Sequence, residues 1–108
     1  MIVGVPLFGT RISPHFGCSS TLAWYRVSNR EIVERRIRQV ETASCSDPMG
    51  LARQIVASGA GVLVCGGIQS QCREWLERRG IRVLENQKGE AEEIVAQLVA
   101  TESVFHWR

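Results

Sequence analysis

Residues 11–20, RISPHFGCSS, set a histidine at position 15 two places before a glycine and a cysteine at position 18 directly after it. Imidazole and thiolate are good ligands for iron, copper and other soft or borderline metals, and a site with few protein ligands can hold a preformed cluster that must later leave. His15 and Cys18 are therefore candidate metal ligands, with Cys45, in the polar stretch ASCSDPMG, as a third. By spacing alone, His15 fits better as a loop histidine bonded to backbone, and Cys18 serves equally well as a small buried residue. The same pair could do thiol redox or nucleophilic chemistry, with Cys18 as a low-pKa thiolate beside His15, but no resolving cysteine stands nearby in the sequence.

Other residues could complete a binding site. Arg11 could pair with a bound anion or face water. Gly66 and Gly67 precede a helix, where N–H groups from Gly67 to Gln69 can hold an anion, or where the two glycines serve tight strand-to-helix packing. Cys65 ends an apolar run, and Cys72 shares a helical face with Trp75 and Leu76, so packing is the simpler role for both thiols. Phe16 is expected to plug its loop into the core, and Gly17 to allow an unusual backbone angle.

These residues need a scaffold, and 108 residues suffice for one domain with a real core. Thirteen Lys plus Arg against eleven Asp plus Glu give a net charge of +2, so neither nucleic acid nor a membrane is expected as a partner. The longest apolar stretches fall well short of the roughly 20 residues that span a bilayer, and no secretory leader precedes the first strand, which points to a soluble cytoplasmic protein. The four cysteines, at 18, 45, 65 and 72, have neither zinc-finger nor C-x-x-C spacing and are expected to be reduced.

MIVGVPLFG reads as a strand buried on both faces, followed by a loop from Phe8 to Ser13 and onward. TLAWYRVSNREIVERRIRQVE reads as two strands around the polar SNRE turn, the second from Ile32 to Val40. Arg30, Arg35, Arg36 and Arg38, interleaved with Glu31 and Glu34, read as a solvated face that discourages edge aggregation. Ser46-Asp47-Pro48 is a plausible cap and first turn for a helix running to about Ser58, with Leu51 and Ile55 inward and Val56 beside them. VLVC is a central strand, Gly80 caps the helix after it, IRVLEN is a short strand, and KGEAEEIVAQLVATES carries an apolar stripe at 91, 94, 95, 98 and 99. The tail SVFHWR has no assigned place.

The order β-β-β-α-β-α-β-α packs as an α/β fold with a five-stranded mixed sheet, order 3-2-1-4-5, and helices on both faces. Connections then leave the first and fourth strands in different directions, opening a crevice beyond their carboxyl ends. RISPHFGCSS and GGIQSQC lie at its mouth, bringing His15 and Cys18 toward Cys65 and Cys72, with Cys45 and Asp47 able to approach the same edge.

SPHFG after the first strand, GVLVCGGI before a helix and the downstream ERRGIRVLEN resemble the dinitrogenase iron-molybdenum cofactor biosynthesis family over almost the whole chain, from Ile2 to about Ala100. The resemblance implies a ribonuclease-H-like fold and a carrier, scaffold or insertion partner for an iron-sulfur or molybdenum-containing cluster. It nominates His15 as the cluster ligand; Cys18 is not a general feature of the family. Two departures stand out: the loop from Phe8 to Ser13 lacks the acidic, glycine-bearing insertion of many relatives, and ASCSDPMG replaces a stretch where others often carry histidine and glycine. Nuclease chemistry does not follow, because two-metal phosphoryl transfer needs paired carboxylates and MIVGVPLFG has none. The expected protein is thus non-enzymatic, a monomer or weak homodimer, handing a metallocluster to an acceptor or assembly protein. A thiol enzyme using Cys18 and a ligand-free regulatory or interaction domain are the alternatives.

Overall fold

The computed structural model describes residues 1–16, 19, 21–39 and 48–100. Cys18, Cys45, Gly17, Asp47 and the SVFHWR tail lie outside the described residues, as does Ser46 of the proposed helix cap. The first strand, β1 (Ile2–Phe8), is buried from Val3 to Leu7, as its unbroken apolar run requires of a strand covered on both faces. On one side it pairs antiparallel with β3 (Thr21–Ser28), which pairs antiparallel with β4 (Glu31–Gln39). On the other side it pairs parallel with β5 (Val62–Val64), and β5 pairs parallel with β6 (Arg82–Leu84).

The resulting order, β4-β3-β1-β5-β6, is the arrangement expected from the sequence, but the sheet has six strands and not five. The additional strand is β2 (Arg11–Ile12), which folds back on the end of β1 with Leu7 opposite Ile12 and Phe8 opposite Arg11. Its turn is Gly9-Thr10, with Gly9 at φ 67°, the glycine-first pattern of a two-residue hairpin. Two residues are too few to show strand periodicity, so the stretch reads as loop until the turn is recognised.

Alternation along the strands divides the core. Val3, Val5 and Leu7 of β1, Ala23 and Tyr25 of β3, and Val62 and Val64 of β5 face α3 (Ala91–Ala100), which presents Ala91, Val95 and Val99. Ile94 and Leu98 pack at the margin of this cluster, completing the stripe seen in the sequence. On the opposite face, Leu22, Leu63 and Cys65 meet α1 (Pro48–Ala57) and α2 (Ser70–Arg78) through Leu51, Ile55, Cys72 and Leu76. Val56, expected beside the inner residues of α1, is exposed: it lies about 100° around the helix from Ile55, past the edge of the buried stripe. α2 ends where Gly80 donates its N–H to Glu77 and Ile81 donates to Leu76, the paired bonds of a Schellman cap. No helix among the described residues is long and apolar enough to cross a membrane.

Candidate functional site

The carboxyl ends of β1 and β5 are joined by a short backbone ladder. Ser13 donates its N–H to the Pro6 carbonyl at 2.9 Å, anchoring the start of the SPHF segment to β1. The next two links run to the segment after β5: Gly67 donates to the Pro14 carbonyl at 2.8 Å, and Phe16 donates to the Gly67 carbonyl at 2.7 Å. His15, between them, forms an isolated parallel bridge with Gly67 and is exposed. The Ser13 hydroxyl, itself buried, donates to the His15 carbonyl at 3.1 Å. Phe16 enters the core among Leu22, Leu51, Ile55 and Cys65, as expected of a loop plug. The imidazole is thus carried on a backbone held from both sides, while its neighbour fixes the loop from below.

Gly66 and Gly67 are part of this construction. A Cβ at Gly66 would stand 2.5 Å from the Ser13 carbonyl oxygen and 2.9 Å from both the Cα and the carbonyl oxygen of Pro14, so the loop can lie this close only over a glycine. Gly67 spends its N–H on Pro14, and that donor is therefore not open to an anion. The tight-packing role weighed for the two glycines is the one the geometry carries. The Gly66 carbonyl accepts from Asn86 and the Cys65 carbonyl from Gln87, which ties the segment after β6 to the same rim. α2 begins only after Gln69, whose side chain does not cap it.

Arg11 sits on the β1–β2 hairpin, exposed, with Nη1 3.9 Å from Glu90, whose carboxylate also accepts from the Thr10 hydroxyl at 2.9 Å. It therefore has a carboxylate partner of its own at the start of α3, in a pair too exposed to be strong. Among the described residues no group of three or more histidine, cysteine, aspartate or glutamate side chains converges as a metal site. His15 is the one proposed metal ligand that the described residues include; Cys18 and Cys45 are not among them.

The two described thiols are placed for packing. Cys65 is fully buried, and burial, assisted by the negative charge of Glu85, pushes its pKa up to about 12. Cys72 is buried against Met49, 3.6 Å from its sulfur, and desolvation raises its pKa too. Neither is a thiolate near neutral pH, which is the form that binds metal or attacks. Ser19, close to the loop, has a buried hydroxyl with no hydrogen-bond partner among the described residues.

A second concave region lies on the α1 face, between β3, β4 and the last turns of α1. It holds about 480 Å³ and is lined by Trp24, Arg26, Glu34, Arg36 and Arg38, with Ile2 and Ala57 among its apolar contacts. The arginine run read from the sequence as a solvated face is thus split: Arg36 and Arg38 enter the groove, while Arg35 projects to the other face and pairs with Glu92 at 2.6 Å. Period two is the part of the groove that the sequence carries: it sets Arg36 and Arg38 on the same side as Trp24.

Residues 1–101 match the protein family described as dinitrogenase iron-molybdenum cofactor. Among solved structures, the fold is similar to the crystal structure of PH0822, at 20% identity and a TM-score of 0.82, covering 92% of this chain and 88% of that one. It is also similar to mj0327 of Methanocaldococcus jannaschii, a protein provisionally named a dinitrogenase. The crystal structure of mj0327 has 14% identity and a TM-score of 0.73, covering 96% of this chain and 90% of that one. The solution NMR structure of mj0327 gives 14% identity and a TM-score of 0.71, covering 92% and 86%. No curated protein matches the chain.

Proposed function

The chain belongs to the dinitrogenase iron-molybdenum cofactor family, and from that premise we propose that it is a non-catalytic carrier or scaffold that holds an iron-sulfur or molybdenum-containing cluster as cargo and passes it to an acceptor or assembly protein. The observation that carries this reading is His15, exposed on a loop that backbone bonds to Gly67 hold in place. An imidazole presented this way can take one coordination position on a cluster without any rearrangement of the backbone. Cys18 and Cys45 assist in this proposal.

Transfer works by ligand exchange: an acceptor supplying more or stronger donors displaces His15, and a cage with few protein ligands makes that displacement easy. The buried, neutral thiols of Cys65 and Cys72 support the assignment of the soft-donor role elsewhere. The same reading takes the mixed sheet as a ribonuclease-H-like arrangement used without phosphoryl transfer, in line with a first strand, IVGVPLF, that carries no carboxylate. It sets the protein in the cytoplasm as a monomer or weak homodimer.

Anaerobic reconstitution followed by absorption spectroscopy and metal analysis tests the assignment. The wild type is expected to retain cluster, and the double variant His15→Ala, Cys18→Ala to lose it. Equal retention by the two proteins would overturn the site.

A further inference from the structure

The groove on the α1 face lies along β3 and β4, away from the His15 rim. In the β3–β4 register Trp24 stands opposite Arg36, Arg26 opposite Glu34 and Leu22 opposite Arg38, so period two sends these side chains to one face. The groove therefore contains three guanidinium groups and one carboxylate. Glu34 holds two of the three, Arg26 at 2.9 Å and Arg36 at 2.8 Å. Arg38 lies 5.4 Å from the centroid of the Trp24 ring, and no carboxylate among the described residues pairs with it.

Trp24 supplies an apolar wall: its ring lines the groove, while its Nε1 is buried and not open to a ligand. The opposite face of the same hairpin contrasts with this one: Arg35 there is matched by Glu92, whereas the three guanidinium groups of the groove share one carboxylate. A volume of about 480 Å³ is in the range of small-molecule sites, and planar guanidinium forks suit carboxylate and phosphate oxygens.

We propose that this groove binds a small organic polyanion, a phosphate ester or a polycarboxylate, with Arg36 and Arg38 gripping its charged oxygens and Trp24, Ile2 and Ala57 lining its carbon part. Glu34 acts as the built-in competitor, occupying Arg26 and Arg36 until a ligand of higher charge displaces it.

Titration calorimetry of the intact protein at low salt, with ATP in one series and citrate in the other, tests the proposal. Saturable one-to-one binding of either probe is expected; ATP alone identifies a phosphate-ester site and citrate alone a polycarboxylate site. The Arg36→Ala, Arg38→Ala double variant is expected to bind at least about tenfold more weakly, given the usual strength of charge-assisted hydrogen bonds. Glu34→Gln is expected to bind more tightly than wild type, because it releases two guanidinium groups. Circular dichroism confirms that the variants fold, and Arg79→Ala, at the residue that follows α2, is the surface-charge control. The proposal fails if neither probe saturates below about 1 mM, if the double variant binds like wild type, or if Arg79→Ala weakens binding as much.

Discussion

The rim around His15 and the groove around Trp24 are built by opposite means. At the rim, position is set by backbone: Gly67 bonded to Pro14 and Phe16, Gly66 without a side chain beneath Ser13 and Pro14, and Phe16 sunk in the core. In the groove, position is set by side chains on an edge hairpin, where one glutamate spans two arginines and a third arginine lies over an indole. A backbone-built site is indifferent to salt and intolerant of added volume, whereas a charge-built site responds to ionic strength and tolerates changes of shape. Presenting one fixed ligand calls for the first kind of construction, and recognising an anion for the second.

Alkali is the sharpest way to separate the two. Cys65, beneath the rim, has its pKa raised from 9.0 to about 12, so its thiol stays protonated in the folded chain where the unfolded chain would ionise it. A raised folded-state pKa contributes stability that is complete below pH 9 and is lost as the pH rises toward 12. The loss is on the order of a few kcal/mol at most. Denaturant unfolding between pH 8 and pH 11 is expected to show this decline in wild type and a flatter profile in Cys65→Ala; parallel profiles would remove Cys65 as the cause.

Gly66→Ala is next in size. Its methyl group meets backbone atoms of Ser13 and Pro14 that cannot rotate away, so a loss of about 1–3 kcal/mol is expected, together with weaker cluster retention through His15. Anion binding in the groove should not change, since Gly66 does not line it. A variant that unfolds at the wild-type denaturant midpoint would contradict the close approach.

The smallest change belongs to the groove side. Asn29 and Arg30, at the β3–β4 turn, both have positive φ, 53° and 63°, as a two-residue hairpin turn of this hand requires. Asparagine tolerates that region, but arginine is strained there, and Arg30→Gly is expected to stabilise the chain by about 1 kcal/mol. Thermal unfolding reads the gain, and a lowered midpoint would show that contacts made by the Arg30 side chain outweigh the strain.

What could be read in the sequence followed the length of its patterns. The stripe at 91, 94, 95, 98 and 99 reports α3 because five positions repeat one angular spacing, and VLVC reports β5 because an unbroken apolar run needs cover on both faces. β2 escaped because only Arg11 and Ile12 form it, although Gly9-Thr10 carried the turn signal. At the rim, the burial of Phe16, Cys65 and Cys72 was legible from their apolar surroundings. The capture of the Gly67 N–H by Pro14 was not, because it joins two segments about fifty residues apart and depends on how closely they pass. The groove was hidden by a different limit: alternation tells which residues share a face, but the concavity comes from α1 lying beside the hairpin, and no local pattern encodes that distance.

The ladder between the SPHF segment and Gly67 engages residue 15 through its main chain and leaves its side chain outside. Chemistry at that point is therefore uncoupled from architecture. Under the proposed carrier role, exchanging the imidazole for a thiol or a carboxylate would alter which metals are preferred while the backbone bonds that shape the loop stay in place, so that preference could be retuned one residue at a time.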